Sequence, residues 1–495
     1  MPQESIVNKT WFRWTILISL AYVAVNIYAI YSEFFVVMLI PFALAMVLLG
    51  FYSLNSFFYL TVFLVPLSIP LNLLTGKLGF NLAIPTEVLL IEMTVIFFLK
   101  LLYDGKLDRR VLNHPVSYAI YFYLFWMFIT SITSTMPLVS FKFMLAKLWF
   151  IVPFYIIGSQ IFKDFKNQKR FVFLYASGLI IVIFISTFKL ALVGVFDTTY
   201  SHLVVRPFFN DHTSYGAVNA FFLLPLIAMV IIYRRQLSPA YLTILIFAVI
   251  VFIGLVFSYS RAAWLSIIVS LGVFFLIHFR IRLVFLIVLA GVLAAFFFTY
   301  RVEIMYRLEK NDQDSSTNLA EHVESISNIS SDASNLERIN RWNSAFKMFI
   351  DKPVFGYGPG TYQFQYAPFQ LARDQTIIST NFGNWGNAHS EYIGPLAESG
   401  VLGTMSFLIL AITIVITGIR VYYRSRNMEH RVLAMGLLMG LVSYLVHGFL
   451  NNFLDTDKIS APFWGFTAML VVLDIYYRKG SDFVWKDDKQ PAKKR

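Results

Sequence analysis

The chain has 495 residues, 58% of them hydrophobic, 18% aromatic and only 14% charged, with a mean hydropathy of +0.67. A soluble domain carries about 25% charged and 45–50% apolar residues, so a secreted enzyme, a cytosolic α/β domain and a disordered scaffold are excluded together. The formal charge of +12 lies mainly between apolar runs, a topology signal and not a nucleic-acid footprint, and the absence of cysteine excludes disulfides, thiolate metal sites and cysteine nucleophiles.

Apolar runs fall near residues 13–31, 34–50, 57–74, 87–103, 115–134, 143–161, 170–193, 213–233, 240–257, 262–278, 282–300, 396–420, 431–450 and 460–477. Most approach the ~20 residues that cross ~30 Å of hydrocarbon. The second and third are interrupted by Pro41, Pro66 and Pro70, so twelve to fourteen spans are expected. The fold class is an all-α polytopic integral membrane protein. The first run is long and has no small-residue cleavage site behind it, so it reads as a retained anchor.

Orientation follows from Lys and Arg. Lys9, Arg13, Lys100, Arg109, Arg110, Lys163, Lys169, Arg234, Arg280, Arg424 and Arg478 all sit in connections that fall on one side if the spans alternate. The positive-inside rule makes that side cytoplasmic, and both termini with it. Five segments follow: N-terminal spans at 1–200, spans with outer arginine loops at 201–300, one large outer loop at 301–395, C-terminal spans at 396–477 and a basic tail at 478–495, solvated near anionic lipid.

Several polar residues stand out against this background. Glu87 and Glu92 open the fourth span, either as a proton path or with Glu87 at headgroup level. Lys142 and Lys147 beside Trp149 read as interfacial anchors. Arg206 lies outside, in Arg206-Pro207-Phe208-Phe209-Asn210-Asp211-His212, and Arg261 occupies the short outer loop Ser258-Tyr259-Ser260-Arg261. An arginine against the charge bias at the mouth of a bundle is a candidate anion ligand. The alternative is that it snorkels to lipid phosphate.

The large loop begins with a Ser/Asn/Asp/Glu-rich stretch, 311–334, without apolar periodicity, read as mobile. Order resumes at Ser334-Asn335-Leu336-Glu337, which has capping-box spacing. Leu336, Ile339, Trp342, Ala345, Phe346 and Phe349 then recur at helical spacing, which predicts an amphipathic helix lying on the membrane surface or on the tops of the spans. Phe355-Gly356-Tyr357-Gly358-Pro359-Gly360 reads as a turn, since no strand precedes it as a phosphate loop requires. His389-Ser390-Glu391-Tyr392 opens a short helix to Glu398, with His389, Tyr392, Ile393 and Leu396 on one face, and Gly400 and Gly403 separate it from the next span. A lone histidine of this kind is either structural or a base, and His202, His212 and His447 compete with it. No His-x-x-x-His or carboxylate cluster has metal spacing, so neither metal nor cofactor is expected.

Four stretches together resemble the O-antigen ligase and O-antigen polymerase superfamily of bacterial envelope glycosyltransferases. They are Arg206 to His212 running on to Pro225, Ser260-Arg261-Ala262-Ala263-Trp264, Arg338-Ile339-Asn340-Arg341-Trp342 with Pro353 to Gly360, and His389 to Gly403. Their order, with the large loop before the last three spans, carries the resemblance across about residues 200–420. Ser390 stands where the family often has Asn, and the family's usual count is nearer twelve spans.

The resemblance implies a GT-C-like membrane fold in the bacterial inner membrane and a glycan on a polyprenyl pyrophosphate, used at the periplasmic face without a metal. The glycan goes to lipid A–core, to another repeat unit or to protein, with ligation to lipid A–core favoured. Arg206, Arg261 and Arg338 then bind pyrophosphate and His389 acts as general base. From another class, a lipid-linked oligosaccharide flippase or a transporter predicts internal repeats and charged residues along a central path. The sequence has no clear repeat.

Overall fold

A computed structural model describes residues 3–32, 37, 40–71, 82–105, 107–194, 198–234, 238–281, 333–371, 375, 379, 386–425 and 427–478. The expected span at 282–300, nearly all of the 311–334 stretch and the tail beyond 478 lie outside them. The chain forms two compact units, Met1–Phe58 and Tyr59–Arg495.

The first unit contains helices α1 (Gln3–Tyr31) and α2 (Ile40–Tyr52). The described side chains of α1 are almost all exposed, as a helix facing lipid requires. Helix α3 (Leu54–Leu64) leads into the second unit and ends where Pro66 follows. A two-residue antiparallel ladder pairs Ile69 with Ile84 and Pro70 with Ala83.

The remaining helices are α4 (Thr86–Asp104), α5 (Pro115–Ile132), α6 (Pro137–Ile151), α7 (Phe165–Val193), α8 (Thr198–Val204), α9 (His212–Tyr233), α10 (Pro239–Val256), α11 (Arg261–His278), α12 (Ala333–Asp351), α13 (Gly394–Arg424), α14 (Met428–His447) and α15 (Asp457–Tyr476). Among the described residues, ten helices are long and apolar enough to cross a membrane. The chain is an all-α polytopic membrane protein.

Starts and stops follow local chemistry. Pro115, Pro137 and Pro239 occupy first helical positions, where a missing N–H costs nothing, and Asp164, Asp211, Ser238 and Ser260 accept hydrogen bonds from the first turn behind them. Pro153 interrupts the helical ladder after α6, and the backbone widens into a π turn over Val152–Ile157.

Helix α15 is buried on nearly every side, and α9 and α14 are buried over most of their length. The close approach of α9 and α14 depends on Gly436 and Gly440, one turn apart. A Cβ at Gly440 would lie 2.6 Å from Phe221 O, and one at Gly436 would lie 2.5 Å from Ala228 Cβ. Phe221 O is the carbonyl that Pro225 leaves without its helical donor, so small residues on α14 let its backbone pack against that gap.

Connections between helices sort into two sets by contact. At one end, Lys163 and Tyr476 both reach Asp108, Lys169 pairs with Glu429 at 3.4 Å, and Ser425 bridges to Arg478. At the other, Thr135 N donates to Tyr357 O (2.9 Å), Arg338 Nε to Leu450 O (3.2 Å) and Glu391 N to Gly448 O (2.8 Å). This alternation is the one the Lys and Arg bias predicts. The first set is the basic end; the second gathers Arg206, Arg261, Arg338 and His389.

Candidate functional site

Helix α12 positions the site through its polar face. Its buried residues are Glu337, Asn340, Arg341, Ser344, Ala345 and Met348, whereas Phe346 and Ile350 are exposed and Leu336, Ile339 and Trp342 are half-buried. Of the apolar stripe, Ala345 is buried and Trp342 packs on Phe449 just past the end of α14, whereas Phe346 faces outward. The polar residues turn inward because they partner one another: Arg341 Nε donates to Glu337 Oε1 (2.7 Å), and Asn340 and Ser379 donate to the second Glu337 oxygen. These bonds hold the Glu337 carboxyl below its ordinary range despite burial.

Arg341 also carries the fold of the histidine segment. Its Nη1 donates to Asn387 O (3.1 Å) and its guanidinium lies 5.0 Å from the Tyr366 ring centre. A Cβ on Gly386 would fall 1.7 Å from Nη1, so this position has to be glycine for the arginine to pass.

Two residues on, His389 has φ +50°, and its N–H donates to Asn387 Oδ1 (3.1 Å). Ser390 Oγ then accepts from the N–H groups of Tyr392 and Ile393, both at 3.2 Å. The helix expected to open at His389 begins instead at Gly394, because a left-handed residue and a side-chain-capped turn cannot belong to its first turn. Gly400, with φ +67°, breaks the helix as expected. Ser390 performs the capping for which Asn is equally suited.

His389 is half-buried. Burial pushes its pKa down to about 4, and the charges of Arg341 and then Arg338 push the same way, opposed by Asp211 and Glu337. The imidazole is therefore neutral at pH 7. Arg338 also lies within electrostatic reach of His212 and His447, and Arg261 of His212. Arg261 is half-buried at the first position of α11, behind the Ser260 cap, and its loop packs on Gly216 of α9. Arg206 is exposed, with Nε donating to Asn210 O at 3.4 Å. The structure thus brings His389, Arg338 and Arg261 around the start of α9, with Arg206 five residues before Asp211 on the adjoining loop.

The glycine turn is a clamp for the chain itself. Glu398 Oε1 accepts from Tyr362 N (3.0 Å), Glu398 O from Gly358 N (2.7 Å), and Pro353 O from Val401 N (3.1 Å). Gly358 has φ +115°, and a Cβ there would lie 1.9 Å from Ser134 Oγ. The turn is wedged between the α5–α6 connection and the α13 kink.

A buried ionic network, not recognised in the sequence, lies beneath His389. Lys147 is no interfacial anchor: it is buried, with Nζ donating to Asp455 Oδ1 (2.6 Å) and Leu454 O (3.0 Å). Glu391 Oε1 accepts from Tyr444 OH (2.5 Å) and Leu454 N (2.9 Å). Sequence spacing gives no sign of it, because Lys147, Glu391 and Asp455 come from three distant segments. Burial and the Asp455 charge push the Glu391 carboxyl up to about 7.

Between pH 4.5 and 7 the folded state therefore keeps a proton that the unfolded chain has released, and stability falls as pH rises through that window. Glu391→Gln should keep both accepted hydrogen bonds and flatten the slope. Tm measured in detergent from pH 5 to 8 tests this, and an unchanged slope in the variant contradicts it.

Among the described residues, no three His, Asp or Glu side chains converge as a metal site would require. Residues 246–408 match the family model described as O-antigen ligase. The match runs from within α10 to within α13 and includes Arg261, Arg338 and His389. No curated protein matches the chain. The match covers about a third of the chain, and this similarity to the O-antigen ligase family supports glycosyl transfer of the ligase and polymerase type in general.

Proposed function

We propose that the chain transfers a glycan from a polyprenyl pyrophosphate donor to an acceptor hydroxyl at the periplasmic face of the bacterial inner membrane, with lipid A–core as acceptor. The observation that carries this reading is a half-buried, neutral histidine beside Arg338, with Arg261 at the same end of the bundle. His389 takes the acceptor proton as the acceptor oxygen bonds to the anomeric carbon. The bond from that carbon to the pyrophosphate breaks, and polyprenyl pyrophosphate leaves with the electron pair. A single in-line displacement inverts the anomeric centre.

Guanidinium groups suit the leaving group because each offers a planar pair of donors to phosphate oxygens and keeps its charge at every working pH. Arg261 and Arg338 fill this role, with Arg206 closing from the adjoining loop. No metal takes part in this scheme, so activity should survive a chelator. A bound pyrophosphate brings negative charge to the same arginines, offsets their effect on His389 and raises its basicity when the acceptor arrives.

The deciding experiment is transfer from purified polyprenyl-pyrophosphate glycan to lipid A–core in detergent. Arg261→Ala and Arg338→Ala should each lower kcat/KM by about 10- to 100-fold, the loss expected for a charge-assisted contact. Arg261→Lys should recover only part, because an ammonium cannot bind bidentately. Lengthened lipid-linked glycan would make the chain a repeat-unit polymerase with the same site. A donor that remains intact under every acceptor, yet crosses the membrane, would replace the transferase reading with a flippase.

A further inference from the structure

A cavity of about 150 Å³ opens at the same end of the bundle, with Asp211 in its wall. Glu87, Asp211, Asp455, Phe208, Phe209 and Phe453 contribute to its wall. The geometry points to a carbohydrate subsite here, holding one sugar ring of the donor or acceptor glycan beside the pyrophosphate clamp. The inference rests on the glycosyl-transfer reading and deepens it.

The lining chemistry selects a neutral polyol. Asp211, Asp455 and Asp457 outnumber the one ammonium on the wall, Lys458, which disfavours phosphate, and no three acidic or histidine groups converge as a metal site among the described residues. Sugar hydroxyls are donors in abundance, and carboxylate oxygens are the strongest neutral-pH acceptors a protein has. The three phenylalanine rings supply the apolar surface that the C–H face of a pyranose covers.

The acidic groups are held in place by the chain itself, and Asp455 Oδ2 accepts from Asn452 Nδ2 at 3.4 Å. Asp211 Oδ1 caps α9 through Ser214 N (2.7 Å). Asp455 is fixed by Lys147. Glu87 is the most telling. It is nine-tenths buried at the second position of α4, its Oε2 accepts from Ala83 N at 3.2 Å, and its carboxyl forms part of the cavity wall. A ligand hydroxyl can hydrogen-bond to such a carboxyl in either protonation state.

By contrast, Asp457 at the cavity floor is occupied, accepting from Ser68 Oγ and Thr86 Oγ1 beside Lys458. Glu92 lies five residues beyond Glu87, about 140° round the helix, and does not line the cavity. The Glu87 side chain thus belongs to the outer-loop cavity and shares no face with Glu92. Distance to the chemistry is short, because Asp211 both walls the cavity and acts electrostatically on His389.

The test uses the full chain in detergent and the free oligosaccharide released from its lipid-linked glycan, which lacks the pyrophosphate. Saturation-transfer NMR should show ring protons in contact with the wild-type protein, with the signal lost in Glu87→Ala and Phe208→Ala. Inorganic pyrophosphate binding should persist in both variants, and Glu92→Gln should resemble wild type. In the transfer assay, Glu87→Gln should raise KM about tenfold for one glycan substrate with little change in kcat. The substrate whose KM moves identifies the occupant as donor or acceptor sugar.

Free glycan that fails to bind wild type, or binds folded Glu87→Ala and Phe208→Ala as tightly, overturns the subsite. Loss of pyrophosphate binding in those variants also overturns it, because the effect would then be a collapse of the whole end. Glycan that binds through Glu87 but is never transferred leaves the subsite standing and removes the transferase reading.

Discussion

His389→Ala should leave a folded protein that binds donor and has lost about 10²- to 10⁴-fold in kcat, the usual contribution of a positioned general base. The fold should survive because the segment is held by groups other than the imidazole: Asn387 Oδ1 accepts from the His389 N–H, Ser390 Oγ from the Tyr392 and Ile393 N–H groups, and Glu391 Oε1 from Tyr444 OH. The pH profile adds a sharper signature. Burial and two arginines push His389 down to about 4, so the acid limb of kcat/KM, which reports the free enzyme, should fall near that pH. The limb of kcat should lie higher, because bound pyrophosphate favours the protonated imidazole. Coincident limbs, or a His389→Ala variant with wild-type kcat, would remove the histidine from the proton-transfer step.

Lys147→Met should destabilise the protein by about 3 kcal/mol, the low end for breaking a buried pair, since Asp455 keeps partial contact with solvent. The lysine compensates the charge of Asp455 and donates to Leu454 O, whose own N–H donates to Glu391. Without it, two carboxylates share a buried site. The paired variant Lys147→Met/Asp455→Asn should recover most of the loss, because no uncompensated charge remains. Thermal unfolding in detergent of the two singles and the double measures the coupling. Strictly additive losses would show that the pair does not interact.

The same two residues mark how far sequence reasoning reaches. His389 stood out as a candidate through its motif position ahead of the next span. Its neutral state was not legible: it depends first on burial and then on Arg341 and Arg338, which approach from a helix about fifty residues earlier in the chain. Lys147 was misread as an interfacial anchor because a lysine next to Trp149 has that pattern whether or not an aspartate from another helix connection lies against it. Helix α12 was predicted with the correct extent, but the burial of its polar face against the protein was not foreseen. Apolar periodicity locates a stripe, but the membrane surface and a protein core compete for it, and here Glu337, Asn340, Arg341 and Ser344 satisfy one another well enough to turn inward.

Composition and the 3.6-residue and 20-residue length scales were sufficient for the all-helical membrane class, because lipid offers no hydrogen-bond partners and forces each span to satisfy its own backbone. The Lys and Arg bias was sufficient for the alternation of connections, since it acts on each loop independently. The motif order was sufficient for the resemblance that the family match at residues 246–408 supports. The site was different in kind. The arginines, His389, Glu87 and the Lys147–Asp455 pair come from separate segments, and their burial, their pairing and the cavity that Glu87 and Asp455 wall exist only once the helices have packed. Pairwise distances between remote residues are set by that packing, and no local pattern encodes them.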